Sequence, residues 1–275
     1  MPARYPERIV CLTEESTETL YLLGEERRIA GISGYTVRPA RARKEKPRVS
    51  AFLTAKNEKI LELNPDLVIG FSDLQADIAR DLTKAGLNVL IFNQRSVQEI
   101  LDMILALASL VGAAEKGMRL VQTLESGLEG VRRAASAFPR RPRVYFEEWD
   151  EPMISGIRWV SELVEIAGGE DVFSGLSRSQ AASGRIVSDA KLVIEKNPEV
   201  ILGSWCGKKF RPQRVAARPG WDAIAAVREN QLFEIKSADI LQPGPAALTD
   251  GVRQIHEILR RSSGRASGIR SRAGG

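Results

Sequence analysis

The stretches ELNPDLVIG at residues 62–70 and EKNPEVILG at residues 195–203 are two versions of one pattern. In each, an Asn-Pro pair ends an amphipathic helix, because proline has no backbone N–H and disfavours helical geometry in the residue before it. The apolar run that follows is continuous rather than alternating, which is typical of a parallel strand that is covered on both faces. The sequence therefore predicts two copies of a helix–strand unit, separated by about half the chain.

Other apolar runs extend this alternation along the chain. They predict strands at 8–10, 29–32, 89–92, 143–146 and 232–235. Helical patterns lie between them at 16–23, 55–63, 74–85, 96–110, 159–167, 188–196 and 250–261. Strands that alternate with helices in this way indicate an α/β fold with parallel sheets.

The two halves are joined by a segment with helical periodicity. Its apolar residues recur at steps of three and four: Leu120, Val121, Leu124, Leu128 and Val131. We therefore predict two lobes with parallel-sheet cores, joined by one long helix, with a ligand cleft between the lobes. The predicted boundaries are an N-terminal lobe at 1–112, a bridging helix at 113–137, a C-terminal lobe at 138–261 and a disordered Arg/Ser/Gly tail at 262–275. The alternative is two shorter helices within a single continuous domain.

Composition excludes several classes of protein. The chain has 275 residues, of which 43% are hydrophobic, so it can bury a core. No run approaches 18 apolar residues, so no membrane helix is expected. The net charge of +5 is concentrated in the last sixteen residues, which hold five arginines and no acid. We therefore predict no nucleic-acid partner; the alternative of a nucleic-acid-associated protein depends on this tail alone.

Cysteine and histidine are too rare for most metal and catalytic sites. The chain has two cysteines and one histidine, so neither a four-cysteine nor a multi-histidine metal site can form. GSWCGKK at 203–209 has the wrong glycine spacing for a phosphate loop. Cys206 and His256 form a conceivable nucleophile and base, but His256 lies in a helical apolar pattern that favours packing. We predict no catalytic residue and no metal ligand.

Aromatic side chains fall on predicted loops, several of them directly after strands. Ligands of parallel sheets bind beyond the carboxyl ends of the strands, and aromatic rings there suit a flat, apolar ligand. Lys208 begins a basic segment that ends at Arg218 and would favour an anionic group on the ligand. The alternatives are that the rings close the sheet ends or pack between lobes, and that the basic segment is an ordinary solvated loop. The candidate aromatic residues are Tyr35, Phe52, Phe71, Trp149 and Trp205.

Four stretches carry a resemblance to a known family. They are RIVCLTEESTETLYLLGEERRIAGISGY at 8–35, KILELNPDLVIG at 59–70, SELVEIAGGEDVF at 161–173 and RPGWDAIAAVRENQLFEI at 218–235. Over residues 7–260 the chain resembles the substrate-binding proteins of iron-siderophore and cobalamin ABC transporters. It is most similar to the cobalamin-binding branch.

The resemblance implies a function and part of a site. It implies a binder without catalysis or an intrinsic cofactor, whose ligand is a large metal chelate, cobalamin or a related corrinoid. Tyr35, Phe52 and Phe71 would line the cleft from the first lobe and Trp149 from the second, whereas Trp205 and Lys208 are candidates by position alone. The alternatives are a ferric-siderophore or haem binder of the same family, and a cytoplasmic metal- or corrinoid-trafficking protein or enzyme that uses Cys206.

The resemblance also implies a partner. Members of the family dock on a transporter permease through one carboxylate in each lobe. Glu58 occupies the first position, and at the second only Asp189 is acidic, followed by Ala190 and Lys191. We expect a monomer that is periplasmic or extracytoplasmic if the chain is a trimmed mature form, and cytoplasmic if Met1 is the native start.

Overall fold

The structure, a computed structural model, describes residues 5–270, which form two compact units. Unit 1 consists of the chain up to Gln94 together with Gln98–Leu124 and Gln242–Pro245. Unit 2 consists of Arg95–Val97, Glu125–Leu241 and the chain from Ala246 onward. Both units are α/β structures, which confirms the predicted fold class.

The first part of the chain forms five strands and five helices. The strands are β1 (Ile9–Cys11), β2 (Ile29–Ser33), β3 (Arg48–Ser50), β4 (Leu67–Phe71) and β5 (Val89–Phe92). The helices are α1 (Glu14–Leu22), α2 (Ala42–Glu45), α3 (Asn57–Glu62), α4 (Ala76–Lys84) and α5 (Val97–Leu110). The sheet order is β3-β2-β1-β4-β5, and every pairing is parallel. All five strands therefore have their carboxyl ends at one edge of the sheet.

The later part of the chain repeats this plan with one addition. Its strands are β6 (Arg143–Asp150), β7 (Met153–Ser155), β8 (Glu170–Asp171), β9 (Val200–Gly203) and β10 (Leu232–Glu234). Its helices are α7 (Arg158–Ile166), α8 (Ala190–Lys196), α9 (Pro212–Ala216), α10 (Ala225–Arg228), α11 (Ser237–Ile240) and α12 (Val252–Arg270). The order is β10-β9-β6-β7, with β8 also paired to β6.

The addition is the hairpin of β6 and β7, which the sequence does not predict. β8 and β9 are parallel to β6 and β10 is parallel to β9, but β7 is antiparallel to β6. Because β7 offers a pairing partner, β6 continues to Asp150 instead of ending near residue 146. Trp149 and the acids around it consequently belong to a strand and not to a loop.

The repeated Asn-Pro pattern ends a helix in each unit, as predicted. Asn64 follows α3 and Asn197 follows α8, with φ angles of 45° and 42°. This left-handed geometry closes a helix C-terminus, and asparagine tolerates it better than most side chains. Each proline then leads into a fully buried strand, β4 or β9.

The segment between the halves is one helix rather than two. Helix α6 spans Ala114–Ala135, and its buried face contains Val121, Leu124, Leu128 and Val131. The division between the units falls within this helix, after Leu124. Apolar residues at steps of three and four predict one helix correctly, because an uninterrupted apolar stripe gives the helix a continuous packing surface.

Helix α12 overlaps the predicted disordered tail. It continues to Arg270, whereas the sequence predicts disorder from residue 262. Ser262 donates a hydrogen bond to Gln231 Oε1 at 2.9 Å, and Ser263 is buried. The helix thus still packs on its unit where the apolar pattern has ended. Residues 271–275 of the predicted tail lie outside the described residues. Among residues 5–270, no helix is both long and apolar enough to cross a membrane.

Gly203 supplies a test of packing at the end of β9. A Cβ added there would lie 1.9 Å from Cδ2 of Phe210, so Gly203→Ala should lower the free energy of unfolding by about 2 kcal/mol or more. Gly127 in α6 is the matched control, because nothing lies within 4 Å of its added Cβ. Gly127→Ala should raise stability by roughly 0.5–1 kcal/mol through helix propensity. Urea unfolding of both variants checks this, and equal stabilities would contradict it.

Candidate ligand-binding site

In unit 1, one buried amide connects two of the candidate aromatic residues. Gln75 donates from Nε2 to the backbone oxygen of Phe52 at 2.9 Å, and its Oε1 accepts from the backbone N–H of Phe71 at 3.0 Å. Gln75 is fully buried, so both halves of its amide are satisfied inside the protein. Gly70 makes room for it, since a Cβ there would lie 2.5 Å from Oε1. The loop of Phe52 is thereby tied to the end of β4.

The three candidate rings of unit 1 differ in exposure. Tyr35 is 55% exposed and lies just after β2, where its backbone N–H donates to Ser33 Oγ at 3.2 Å. Phe52 is half-buried, and Phe71, the last residue of β4, is buried. Tyr35 and Phe52 therefore present ring surface, whereas Phe71 presents little.

Two acids begin α1, directly after β1 at the same edge of the sheet. Thr13 donates to Glu15 Oε1 at 2.6 Å, while Glu15 Oε2 is buried and has no hydrogen-bond partner among the described residues. Burial raises the pKa of Glu15 to about 7, although the Thr13 hydrogen bond opposes this. Burial and then the charge of Glu15 raise the pKa of Glu14 to about 8. This edge can therefore carry protonated carboxyl groups near neutral pH.

The raised pKa of Glu15 predicts that the stability of the fold depends on pH. Its carboxyl binds a proton more tightly in the folded chain than in the unfolded one, where the pKa is near 4.5. Its stabilising contribution to the free energy of unfolding is therefore fully present below about pH 4.5 and is lost as the pH rises through about 7. Between pH 4.5 and 8, the fall in unfolding free energy should be smaller in Glu15→Gln than in the wild type, by on the order of 2 kcal/mol.

The control for this prediction is Glu195→Gln, which alters an exposed acid of α8. It should leave the pH profile unchanged. Chemical unfolding at a series of pH values measures both variants, and identical profiles for Glu15→Gln and wild type would refute the assignment.

In unit 2, the end of β6 carries acids that are each paired with a base from elsewhere in the chain. Glu147 is 0% exposed. It accepts hydrogen bonds from Tyr145 Oη and Trp205 Nε1, both at 3.1 Å, and from Arg218 Nη1 and Nη2 at 2.5 and 3.0 Å. A fully buried carboxylate is tolerated only with such a set of donors.

The neighbouring Glu148 is held in a similar way by a different arginine. Arg185 is buried and donates to Glu148 Oε2 at 2.5 Å and Oε1 at 3.1 Å, and also to the Ser155 backbone oxygen at 2.6 Å. Glu148 Oε2 further accepts from the Ile157 N–H at 3.2 Å. This pair fixes the segment around Arg185 to the β6–β7 hairpin.

The third acid, Asp150, forms an ion pair with Lys208. The Lys208 Nζ lies 3.9 Å from the centroid of the Trp149 ring and 5.2 Å from that of Trp205, within cation–π range. Trp149 is half-buried and donates from Nε1 to the Glu151 oxygen at 2.9 Å. Two of the candidate residues, Trp149 and Lys208, are therefore in contact.

Trp205 corrects one prediction. The sequence places it among ligand-contacting rings, but the structure buries it in the core of unit 2. Its ring packs edge-on against Phe210, with centroids 5.0 Å apart, and its N–H is used by Glu147. Its role is thus to close the end of the sheet, which is the alternative that the sequence leaves open.

The remaining predicted residues have simpler surroundings. Glu58 is exposed in the first turn of α3. Asp189 is exposed and caps α8, accepting from the Lys191 N–H at 2.8 Å. His256 stacks on Phe138 with centroids 5.2 Å apart, which agrees with the packing role predicted for it. Among the described residues, no cluster of three or more His, Cys, Asp or Glu side chains could hold a metal ion.

Sequence reasoning misses Gln75, Arg185 and Arg218. Each bonds to residues that lie elsewhere in the chain, and Arg218 is 71 positions away from Glu147. A basic run gives no signal that separates Arg218, which is paired with a buried acid, from an exposed neighbour such as Arg214.

This difference can be tested. Arg218→Met leaves the buried carboxylate of Glu147 without its counter-charge and should lower the free energy of unfolding by about 3 kcal/mol or more. Arg214→Met removes an exposed arginine of the same segment and should change it by less than about 0.5 kcal/mol. Denaturant unfolding compares the two variants, and a small loss in Arg218→Met would show that the ion pair contributes little.

Both units are α/β structures with parallel strands, and aromatic residues lie at or after strand ends in each. Residues 9–238 match the model of the family described as periplasmic binding protein. The chain therefore belongs to this family, which is one of binding proteins.

Individual relatives agree with this assignment. The chain is 27% identical over 263 residues to a vitamin B12-binding protein of Vibrio cholerae serotype O1 (strain M66-2), covering 92% of this chain and 89% of that protein. It is 24% identical to YvrC, an ABC transporter substrate-binding lipoprotein of Bacillus subtilis, covering 92% and 80%. Its fold is similar to that of S. aureus IsdE complexed with heme, with a TM-score of 0.79, 20% identity and coverage of 94% and 99%.

Proposed function

We propose that this chain is the extracytoplasmic solute-binding component of an ABC-type importer and that it has no catalytic activity. Its solute is a large, flat metal chelate, with cobalamin or a related corrinoid as the first candidate. Support comes from the relatives, one of which is named as a vitamin B12-binding protein and another as an ABC transporter lipoprotein. Transporter docking through the exposed carboxylates of Glu58 and Asp189 is part of the proposal.

The observation that carries this proposal is the placement of aromatic side chains. Tyr35 and Phe52 present ring surface after strands of unit 1, and Trp149 does so at the end of β6 in unit 2. Rings of this kind bury large apolar area with few rotatable bonds, so they bind a flat macrocycle at a small entropic cost. Binding needs no reacting group, and the predicted site contains no paired nucleophile and base.

Haem is the second candidate, because the haem complex of IsdE has a similar fold. The similarity, at 20% identity, extends to the fold alone. Haem and corrinoids are both flat metal macrocycles, so the same rings suit either.

Direct titration tests the proposal. Purified protein is titrated with cyanocobalamin, haemin and a ferric siderophore, and binding is followed by visible absorbance and calorimetry. We expect cyanocobalamin to bind with a Kd in the micromolar range or tighter. If it does not bind at tens of micromolar while haemin or the siderophore does, the chelate assignment moves to that ligand; if none binds, the proposal is wrong.

A matched pair of tyrosines tests the position of the site. Tyr35 after β2 and Tyr5 before β1 are 55% and 51% exposed. Tyr35→Ala should weaken chelate binding about tenfold, the equivalent of about 1.4 kcal/mol, because it removes a stacking surface. Tyr5→Ala makes the same chemical change before the amino end of β1, away from the carboxyl ends of the strands, and should leave the Kd unchanged. Equal effects of the two substitutions would place the ligand elsewhere.

A further inference from the structure

Lys208 is held in one place by two neighbours, which is unusual for an exposed lysine. It forms an ion pair with Asp150, and its ammonium lies 3.9 Å from the Trp149 centroid. The Asp150 side chain is 5% exposed and that of Lys208 is 37% exposed, so the carboxylate lies inward and the lysine is the more exposed partner. An ammonium has three N–H donors, and Asp150 accepts on one side only.

The acids of β6 do not oppose an incoming anion. Glu147 is neutralised by Arg218, Glu148 by Arg185 and Asp150 by Lys208 itself. The segment after Lys208 adds basic side chains that are exposed and form no ion pair within residues 5–270: Lys209, Arg211 and Arg214. Two exposed acids lie near this segment, Glu151 directly after β6 and Glu234, which accepts from the Phe210 N–H at 3.0 Å. The three bases therefore leave a small excess of positive charge, which favours an anionic group.

Lys208 also lies where a ligand is expected. Its loop leaves the carboxyl end of β9, the edge at which parallel α/β sheets bind ligands. Its ammonium covers the face of Trp149, one of the candidate stacking rings. A ligand that approaches Lys208 therefore meets a cation whose position is fixed by the ring beneath it.

We propose that Lys208 is a specificity-determining residue that binds a peripheral oxyanion of the chelate, a carboxylate or a phosphodiester, with Asp150 as the residue that positions it. The chain accordingly prefers chelates that carry such a group over neutral analogues of the same ring system. This inference rests on the proposed function, because it concerns the periphery of the same ligand.

Two pairs of ligands separate the two sources of the oxyanion. Haemin has two carboxylates, and its dimethyl ester has none. Cobalamin has a phosphodiester that cobinamide lacks, and both are used as dicyano forms so that their axial ligands match. Wild type, Lys208→Met and the control Lys196→Met are titrated with all four. Lys196 is an exposed lysine at the end of α8, before β9. Thermal unfolding verifies that each variant is folded.

Wild type should bind the oxyanion member of at least one pair more tightly than the neutral member. Lys208→Met should raise the Kd of that member by about 10- to 100-fold, the loss expected for a charge-assisted hydrogen bond. The Kd of the neutral member should change by no more than about twofold. Lys196→Met should behave as wild type. If wild type binds both members of each pair equally, or Lys208→Met weakens both members of the discriminated pair alike, this inference is wrong while the proposed function stands. If wild type binds none of the four, this inference fails, and the proposed function fails with it only if the ferric siderophore does not bind either.

Discussion

A carboxylate buried as completely as that of Glu147 constrains everything around it. Taking the charge out of water costs several kcal/mol, so donors must surround it before the sheet end can close. Here the donors come from Tyr145 on the same strand, Trp205 after β9 and Arg218 beyond α9. One acid therefore fixes three segments of unit 2 and holds the Trp205 ring in the core.

The same strand then presents different side chains outward. The pairing of β6 with β7 shifts register between Glu147 and Trp149, which is the signature of a bulge. A bulge changes which way the following side chains point, and Lys208 indeed contacts both Trp149 and the adjacent Asp150. The buried ion pair of Glu147 and the partly exposed ion pair of Asp150 thus both involve acids of one short hairpin.

Unit 1 manages buried polar groups by other means. Gln75 is neutral and satisfies the backbones of Phe52 and Phe71 with its own amide. Glu15 is a carboxyl without a basic partner among its hydrogen bonds, and its raised pKa means that a proton takes the place of the counter-charge. The two units share a fold but hold their strand ends together with different chemistry.

Sequence predicts the features that depend on neighbours in the chain. The Asn-Pro stops, the buried strands after them and helix α6 all follow from local geometry and periodicity, and all are present. β7 has only three residues, too few for a periodic signal, so its hairpin and the true end of β6 are missed. The position of the Trp205 ring depends on its hydrogen bond to Glu147, 58 residues away, and no local sequence pattern predicts a contact between residues so far apart.

The contacts between distant residues matter for the proposed site, because a binding protein gains affinity when its side chains are already ordered before the ligand binds. A free lysine loses much rotamer freedom when it contacts a ligand. Lys208 has already lost part of it to Asp150 and Trp149. The same ion pair withholds some of its charge, so the interaction is weaker than that of an unpaired ammonium but better oriented. Such an arrangement favours selection between similar chelates over maximal affinity for any one of them.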